Sequence, residues 1–247
     1  MAIEVFNRYE NKYLMDSESF QDIYNRLLQY MDLDEHNQNN QFYTISNIYY
    51  DTPQHSIIRN SLAKPKYREK LRVRAYGVPK RDDKVYVELK KKVFGLVNKR
   101  RTAMKLDEAY EFVQTGNVPE FMPYMNKQVI HEIQYFLQRY ELQPAVYLAY
   151  DRIAMFCKGN RDLRMTFDTN IRSRREDVRL EDGDHGDLLM APHLWLMEVK
   201  AEKTVPVWLA RLLSELQMFR TSFSKYGNEY RMNIRNEQQI KERLQLC

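Results

Sequence analysis

At 247 residues, with 43% hydrophobic and 13% aromatic content and only 7 glycines, the chain can bury a full core, which excludes a low-complexity or disordered polymer. Lys+Arg 39 against Asp+Glu 34 gives a formal net charge of +5, which permits an anionic partner without identifying one. β barrels of this length are commonly single domains, so one domain over 1–247 is expected, with a core of about 5–232 and a helical tail over 233–247.

Met1 to Glu4 lacks the basic and apolar regions of a signal peptide, and no later stretch approaches a membrane-spanning helix. The expectation is a cytoplasmic protein with no membrane segment. Cys157, Cys247 and the 5 histidines show no zinc-ligand spacing and no disulfide framework.

In chain order, Val5 to Leu14 alternates, with Arg8, Glu10 and Lys12 on one face and Tyr9 and Tyr13 on the other. Asp16 or Ser17 then caps a helix whose Phe20, Ile23, Tyr24, Leu27, Leu28 and Met31 share a side. Asp34 to Gln41 reads as a loop, Phe42 to Asp51 as a strand, and Thr52-Pro53 as the start of a short helix. Tyr67 to Tyr76, Lys84 to Val93 and the segment after Gly95 read as a meander. In its middle strand Tyr86, Glu88, Lys90 and Lys92 oppose Val85, Val87, Leu89 and Lys91.

Helices are predicted from Asp107 to Val113, ended by Gly116 and Pro119, and from Asn126 to Tyr140. Strands resume at Ala145 to Phe156 and Leu163 to Arg172, joined by a turn at Gly159-Asn160. Glu181 to His193 is irregular. Trp195 to Glu202 then places Glu198, Lys200 and Glu202 on one face, and Pro206 opens a helix with a leucine stripe. Phe223 to Gly227 reads as a loop before the charged tail.

Glu10/Lys12, Glu88/Lys90 and Glu198/Lys200 repeat one Glu-x-Lys pattern. A single pair suits the solvated side of an antiparallel sheet. Strands this numerous, however, tend to close or pack. The expected fold is therefore α+β, an eight-stranded antiparallel β tunnel with a charged interior and apolar outer faces covered by helices. Arg164, Asp168, Arg172 and Glu202 are assigned inward with the residues named below, leaving a cation excess that needs an anion among it. Arginine forks and lysine charges match phosphate oxygens, and a few carboxylates suit a divalent ion bridging them. The chain has neither a P-loop nor a Gly-x-Ser-x-Gly elbow, and phosphoryl transfer by charge and positioning needs neither. Tyr9, Tyr13, Tyr49 and Tyr50 read as packing residues.

Several separated motifs, in order, resemble a known family. They include Arg8-Tyr9-Glu10-Asn11-Lys12-Tyr13, Ile48-Tyr49-Tyr50-Asp51, Leu71-Arg72-Val73-Arg74, Val87-Glu88-Leu89-Lys90, Lys99-Arg100-Arg101, Tyr150-Asp151-Arg152, Met197-Glu198-Val199-Lys200 and Ser224-Lys225-Tyr226. Across roughly Val5 to Met232 the sequence is similar to the VTC (vacuolar transporter chaperone) domain of polyphosphate polymerases, a branch of the triphosphate tunnel metalloenzymes, a CYTH-like superfamily. The resemblance implies a tunnel in which Lys12, Arg72, Arg74, Lys90, Arg152 and Lys200 are catalytic. Arg8, Lys99, Arg101, Ser224 and Lys225 would bind phosphate. Glu198 would be the principal ligand of Mn²⁺ or Mg²⁺, helped by Glu10 and Glu88.

It further implies ATP or another nucleoside triphosphate as donor and inorganic polyphosphate as acceptor, with ADP released. Nucleic acid is not expected as a partner, because strand-borne cations mixed with carboxylates look less like a continuous phosphate-tracking stripe. Arg8 stands where the wider superfamily has a first glutamate, which favours the polymerase branch. Hydrolysis of a triphosphate in the same tunnel and non-catalytic binding of a polyanion are the alternatives.

Overall fold

The computed structural model describes residues 5–245, with backbone alone for 5–8, 38–40 and 243–245. The alternating segments form β1 (Val5–Asp16), β2 (Met31–Leu33), β3 (Tyr43–Asp51), β4 (Tyr67–Tyr76), β5 (Lys84–Val93), β6 (Leu96–Lys105), β7 (Gln143–Cys157), β8 (Asn160–Arg174), β9 (Asp187–Leu188) and β10 (Leu194–Ala201). All are joined antiparallel in the order β2-β7-β3-β4-β5-β6-β1-β10-β8-β9. Because β7 also pairs with β8, every strand but β2 and β9 lies on one circuit, the expected tunnel. Its slightest join is between β1 and β6, where residues 5–8 pair with 97–100. Beyond that point β1 pairs with β10, and on its other side Tyr13 bridges Arg220 while the Lys12 carbonyl accepts from the Thr221 amide.

Rolling the sheet gives each strand one enclosed face and one outer face, and the helices cover the outer one. Leu71, Val73, Val85, Val87 and Leu89 point outward beneath α3 (Leu106–Thr115) and α4 (Lys127–Arg139), packing on Phe112, Ile130, Ile133 and Phe136. Tyr13, Met165, Phe167, Met197 and Val199 lie beneath α1 (Ser17–Leu27) and α5 (Val207–Glu215), against Phe20, Ile23, Leu27 and Leu209. Each such apolar side chain, fully buried, stabilises by about 1.5–3 kcal/mol relative to an exposed one, so the outer packing supports a barrel with a polar interior. Local signals agree: Asp16 accepts from the Ser19 amide, Asn126 from the Val129 amide, and Gly116 ends α3 at φ 74°.

Four expectations are corrected. The loop over 34–41 contains a 3₁₀ turn, Glu35–Asn40, preceded by the short strand β2. The helix expected at Pro53 begins later, as α2 (Ser56–Leu62), because Asp51 reaches past Thr52-Pro53 to accept from the Ile57 and Ile58 amides. Phe223 to Gly227 is not wholly loop: α6 (Lys225–Gln245) starts inside it, and the Ser224 hydroxyl oxygen accepts from the Gly227 amide.

Fourth, Arg172 and Glu202 do not enter the tunnel. Asn170 takes φ 47° at a bulge, so that Asp168 still faces Arg152 while Arg172 falls opposite Ala149, on the outer face. There Arg172 pairs with Asp151 and Asp184. Glu202 lies beyond the end of β10 and is exposed.

Candidate active site

Alternation sends Glu10 and Lys12 of β1, Arg72 and Arg74 of β4, Lys90 of β5, Lys99 and Arg101 of β6, Arg152 of β7, and Glu198 and Lys200 of β10 into one cavity of about 800 Å³. Ser224 and Lys225 reach it from the start of α6. Arg164 also lines it, while Asp168 lies behind the lining, fully buried. Glu88 is likewise fully buried behind the lining, and the side chain of Arg8 lies outside the described residues.

The three Glu-x-Lys glutamates meet different surroundings. Lys12 Nζ lies 3.1 Å from Glu10 Oε1 and 2.9 Å from Glu198 Oε1, so those two carboxylates converge. Lys90 Nζ is 3.2 Å from Glu10 Oε2, Lys200 Nζ is 2.7 Å from Glu198 Oε2, and Lys225 Nζ is 3.4 Å from Glu198 Oε1. Burial would push the Glu198 carboxyl up, but Lys12, Lys200, Lys225 and Arg152 outweigh it and hold it well below the usual carboxylate range. For Glu10, burial and the Glu198 charge push up, and Lys90, Lys12 and Lys200 bring it down.

Glu88 instead faces arginines. It accepts from Arg72 Nε at 2.8 Å and from Lys99 Nζ at 3.1 Å, with Arg74 Nε 3.9 Å away. Burial pushes this carboxyl up as well, and Arg72, Arg74 and Lys99 keep it well below its usual value. Nearby, Arg74 donates to Asn47 Oδ1 at 2.9 Å and to the Tyr150 hydroxyl at 2.8 Å, an orientation that leaves little rotamer freedom. Arg152 forks onto Asp168 at 2.6 and 2.8 Å, and Lys225 joins the same carboxylate.

Metal chemistry fits this donor set in one place. Mg²⁺-like ions take one or two protein carboxylates and complete their shell with phosphate oxygens and water. Glu10 and Glu198 supply such a pair. Among the described residues no group of three or more His, Cys, Asp or Glu side chains is arranged to hold a metal unaided, so the set suits an ion that arrives with a phosphate ligand. The expected third helper, Glu88, is separated from that pair and spent on Arg72 and Lys99.

Sequence reasoning passed over Lys70 and saw only the packing role of Tyr49, which is buried against Tyr226 as expected. Lys70 stands one alternation before Arg72, a signal open to extension along β4, and it lines the cavity with its Nζ 3.4 Å from Ser224 Oγ. Tyr49, read as packing, also lines the cavity and accepts from Arg72 Nη1 at 2.9 Å. Burial, with Lys90, Lys12 and Arg68 nearby, brings Lys70 down to about 8. Burial would raise the Tyr49 phenol, yet Arg72, Arg74 and Lys70 draw it down to about 8. Burial likewise brings Lys99 to about 7 and Lys200 to about 8, the first against Glu88 and the second against Glu198. Each of these lysines has other cations beside it: Lys90, Lys12 and Arg68 at Lys70, Arg74, Arg101 and Arg72 at Lys99, and Arg152 and Arg164 at Lys200. A polyanion placed among them would restore their charged forms.

The fold is shared with solved structures. A candidate adenylate cyclase of Bacillus halodurans superposes with a TM-score of 0.55 at 14% identity, covering 90% of this chain and 96% of its own. A candidate adenylyl cyclase of Hippeastrum, described as having a dominant triphosphatase activity, gives 0.50 at 16% identity, covering 89% and 93%. At such identities the likeness is one of fold alone. No curated protein matches the chain. The ordered motifs, the antiparallel circuit and the cation-lined interior all agree with the VTC domain, whose family description matches residues 7–234, and the chain belongs to that family.

Proposed function

We propose that this chain is a metal-dependent phosphotransferase that makes inorganic polyphosphate from ATP, passing the γ-phosphate to the growing polymer and releasing ADP. One observation carries the reading: Lys12, Arg72, Arg74, Lys90, Arg152 and Lys200 surround a single cavity into which the carboxylates Glu10 and Glu198 converge. Membership of the VTC domain family supports synthesis over other uses of such a tunnel.

In this reading Arg72 and Arg74, fixed by Glu88, Asn47 and Tyr150, grip phosphate oxygens as rigid forks, while Lys12, Lys90 and Lys200 offset charge on the phosphoryl group in transfer. Glu10 and Glu198 would hold a Mn²⁺ or Mg²⁺ ion. Such an ion supplies charge neutralisation at bridging phosphate oxygens. The terminal phosphate of the acceptor is itself the nucleophile, so the reaction asks for alignment and neutralisation and for no covalent side chain.

Hydrolysis of a triphosphate is the second reading, favoured by the activity described for the Hippeastrum neighbour. The two part on their products. Purified protein incubated with ATP and Mn²⁺ is expected to yield ADP and phosphate polymers resolvable by length. ADP with orthophosphate alone, or AMP with pyrophosphate, would overturn the polymerase reading.

A further inference from the structure

One end of the cavity is built from rings. Tyr43 begins β3, Tyr76 ends β4, and His36 belongs to the 3₁₀ turn Glu35–Asn40; all three line the cavity. Their ring centroids lie 5.4 Å apart for His36 and Tyr76, 5.7 Å for His36 and Tyr43, and 5.9 Å for Tyr43 and Tyr76. Tyr86, near the start of β5, meets Tyr76 edge-on at 5.9 Å and carries the Arg101 guanidinium 4.7 Å from its ring centre. Strand register explains the gathering, because Ile45 lies opposite Tyr76 and Arg74 opposite Tyr86, which brings the three tyrosines to the same end of their strands.

The other end of those strands has a different chemistry. Their inward residues there are Tyr49, Lys70 and Lys92, and α6 closes over them, with Tyr226 stacked on Tyr49 at 5.0 Å and Ser224 beside Lys70. The cavity therefore has a direction: rings at one mouth, amines and a helix start at the opposite one.

A ligand made of phosphate alone is held by charge and N–H donors and gains little from ring faces. Partly open tyrosine and histidine rings beside an arginine provide the surface on which a nucleobase stacks. Tyr76 is 41% exposed, whereas Tyr150, deeper along the same wall, is 2% exposed and serves as an acceptor for Arg74. We propose that His36, Tyr43 and Tyr76, backed by Tyr86, form the base-stacking mouth of the tunnel. A nucleoside triphosphate then lies with its base against these rings and its terminal phosphate toward Lys70 and Lys12. The inference rests on the phosphoryl-transfer reading above and adds the donor's orientation and the residues that recognise its non-phosphate part. Stacking tolerates every base, so purines exceed pyrimidines through contact area alone.

Calorimetric titration with ATP and with inorganic tripolyphosphate, each with Mg²⁺, tests this on the full chain. Tyr76→Ala is expected to weaken ATP about tenfold and to leave tripolyphosphate within about twofold, in line with the usual worth of base stacking on an aromatic side chain. Tyr76→Phe, which keeps the ring, is expected to keep ATP affinity. Equal weakening of both ligands by Tyr76→Ala, or of neither, would overturn the stacking mouth while leaving the phosphoryl-transfer reading in place. Failure of the unaltered protein to bind tripolyphosphate would instead bring down that reading, and the inference with it.

Discussion

Two walls of the same tunnel carry the same short motif and use it differently. On the β4–β5–β6 wall, Glu88 is sealed beneath Arg72, Arg74 and Lys99 and holds the arginine forks in place. On the β1–β10 wall, Glu10 and Glu198 share Lys12 and line the open cavity. Glu88 does not reach the cavity and serves to hold arginines, whereas Glu10 and Glu198 face the cavity and converge on one lysine, whose place a divalent ion would take. The comparison teaches that Glu-x-Lys on a strand sets the face, and the strands paired beside it set the role.

Removing Glu88 should give the largest effect on the fold. Glu88→Gln leaves Arg72 buried without its carboxylate and is expected to lower stability by about 3–5 kcal/mol, measured by urea unfolding at pH 7. On the other wall Glu198→Gln is expected to cost less than half as much, because Lys12 keeps Glu10 while Lys225 and Arg152 keep Asp168. Its turnover with ATP and Mn²⁺, however, should fall by at least about a hundredfold, the scale expected when a metal's carboxylate support is lost. Equal losses of stability in both variants would erase the distinction between the walls.

A smaller effect follows from pH. The Lys70 ammonium is brought down to about 8, so in the free protein it is charged at pH 7 and mostly neutral above pH 9. A triphosphate favours the charged form; its affinity should decline above about pH 8, and binding near that pH should take up protons. For stability the sign is opposite. A lysine lowered in the folded state disfavours folding where both states are protonated, so that penalty eases as pH rises through about 8 toward the unfolded value. Lys70→Arg keeps the charge and should make the decline in affinity shallower, by up to about tenfold at pH 9, as read by titration with tripolyphosphate. The smallest effect belongs to Glu202→Ala, which lies outside the tunnel and should change neither turnover nor stability beyond about 0.5 kcal/mol.

Period two alone made much of this legible. It placed Lys12, Arg72, Arg74, Lys90, Lys99, Arg152 and Lys200 on the enclosed faces, since β strands of half-apolar, half-charged character offer no other way to bury their greasy side. It failed where the backbone leaves the period. The bulge at Asn170 turned Arg172 outward, and the end of β10 at Ala201 released Glu202. Helix signals failed where a cap acts over a distance: Asp51 nucleates α2 from before Pro53, and Ser224 begins α6 inside the segment expected to be a loop. Gly227 also packs closely there, since a Cβ would lie 3.0 Å from Leu62 Cδ2 and from Ser224 Oγ. The separation of Glu88 from Glu10 and Glu198 is a matter of tertiary neighbours, which no single strand encodes.

The central claim is that Glu10 and Glu198, and not Glu88, hold the divalent ion once a phosphate ligand is present. Mn²⁺ binding followed by electron paramagnetic resonance in the presence of tripolyphosphate tests it directly, at a temperature where circular dichroism shows each variant folded. Glu198→Gln is expected to weaken the ion at least about a hundredfold and Glu88→Gln by no more than a few-fold. Equal weakening in the two variants, or undiminished Mn²⁺ affinity in Glu198→Gln, would contradict the account.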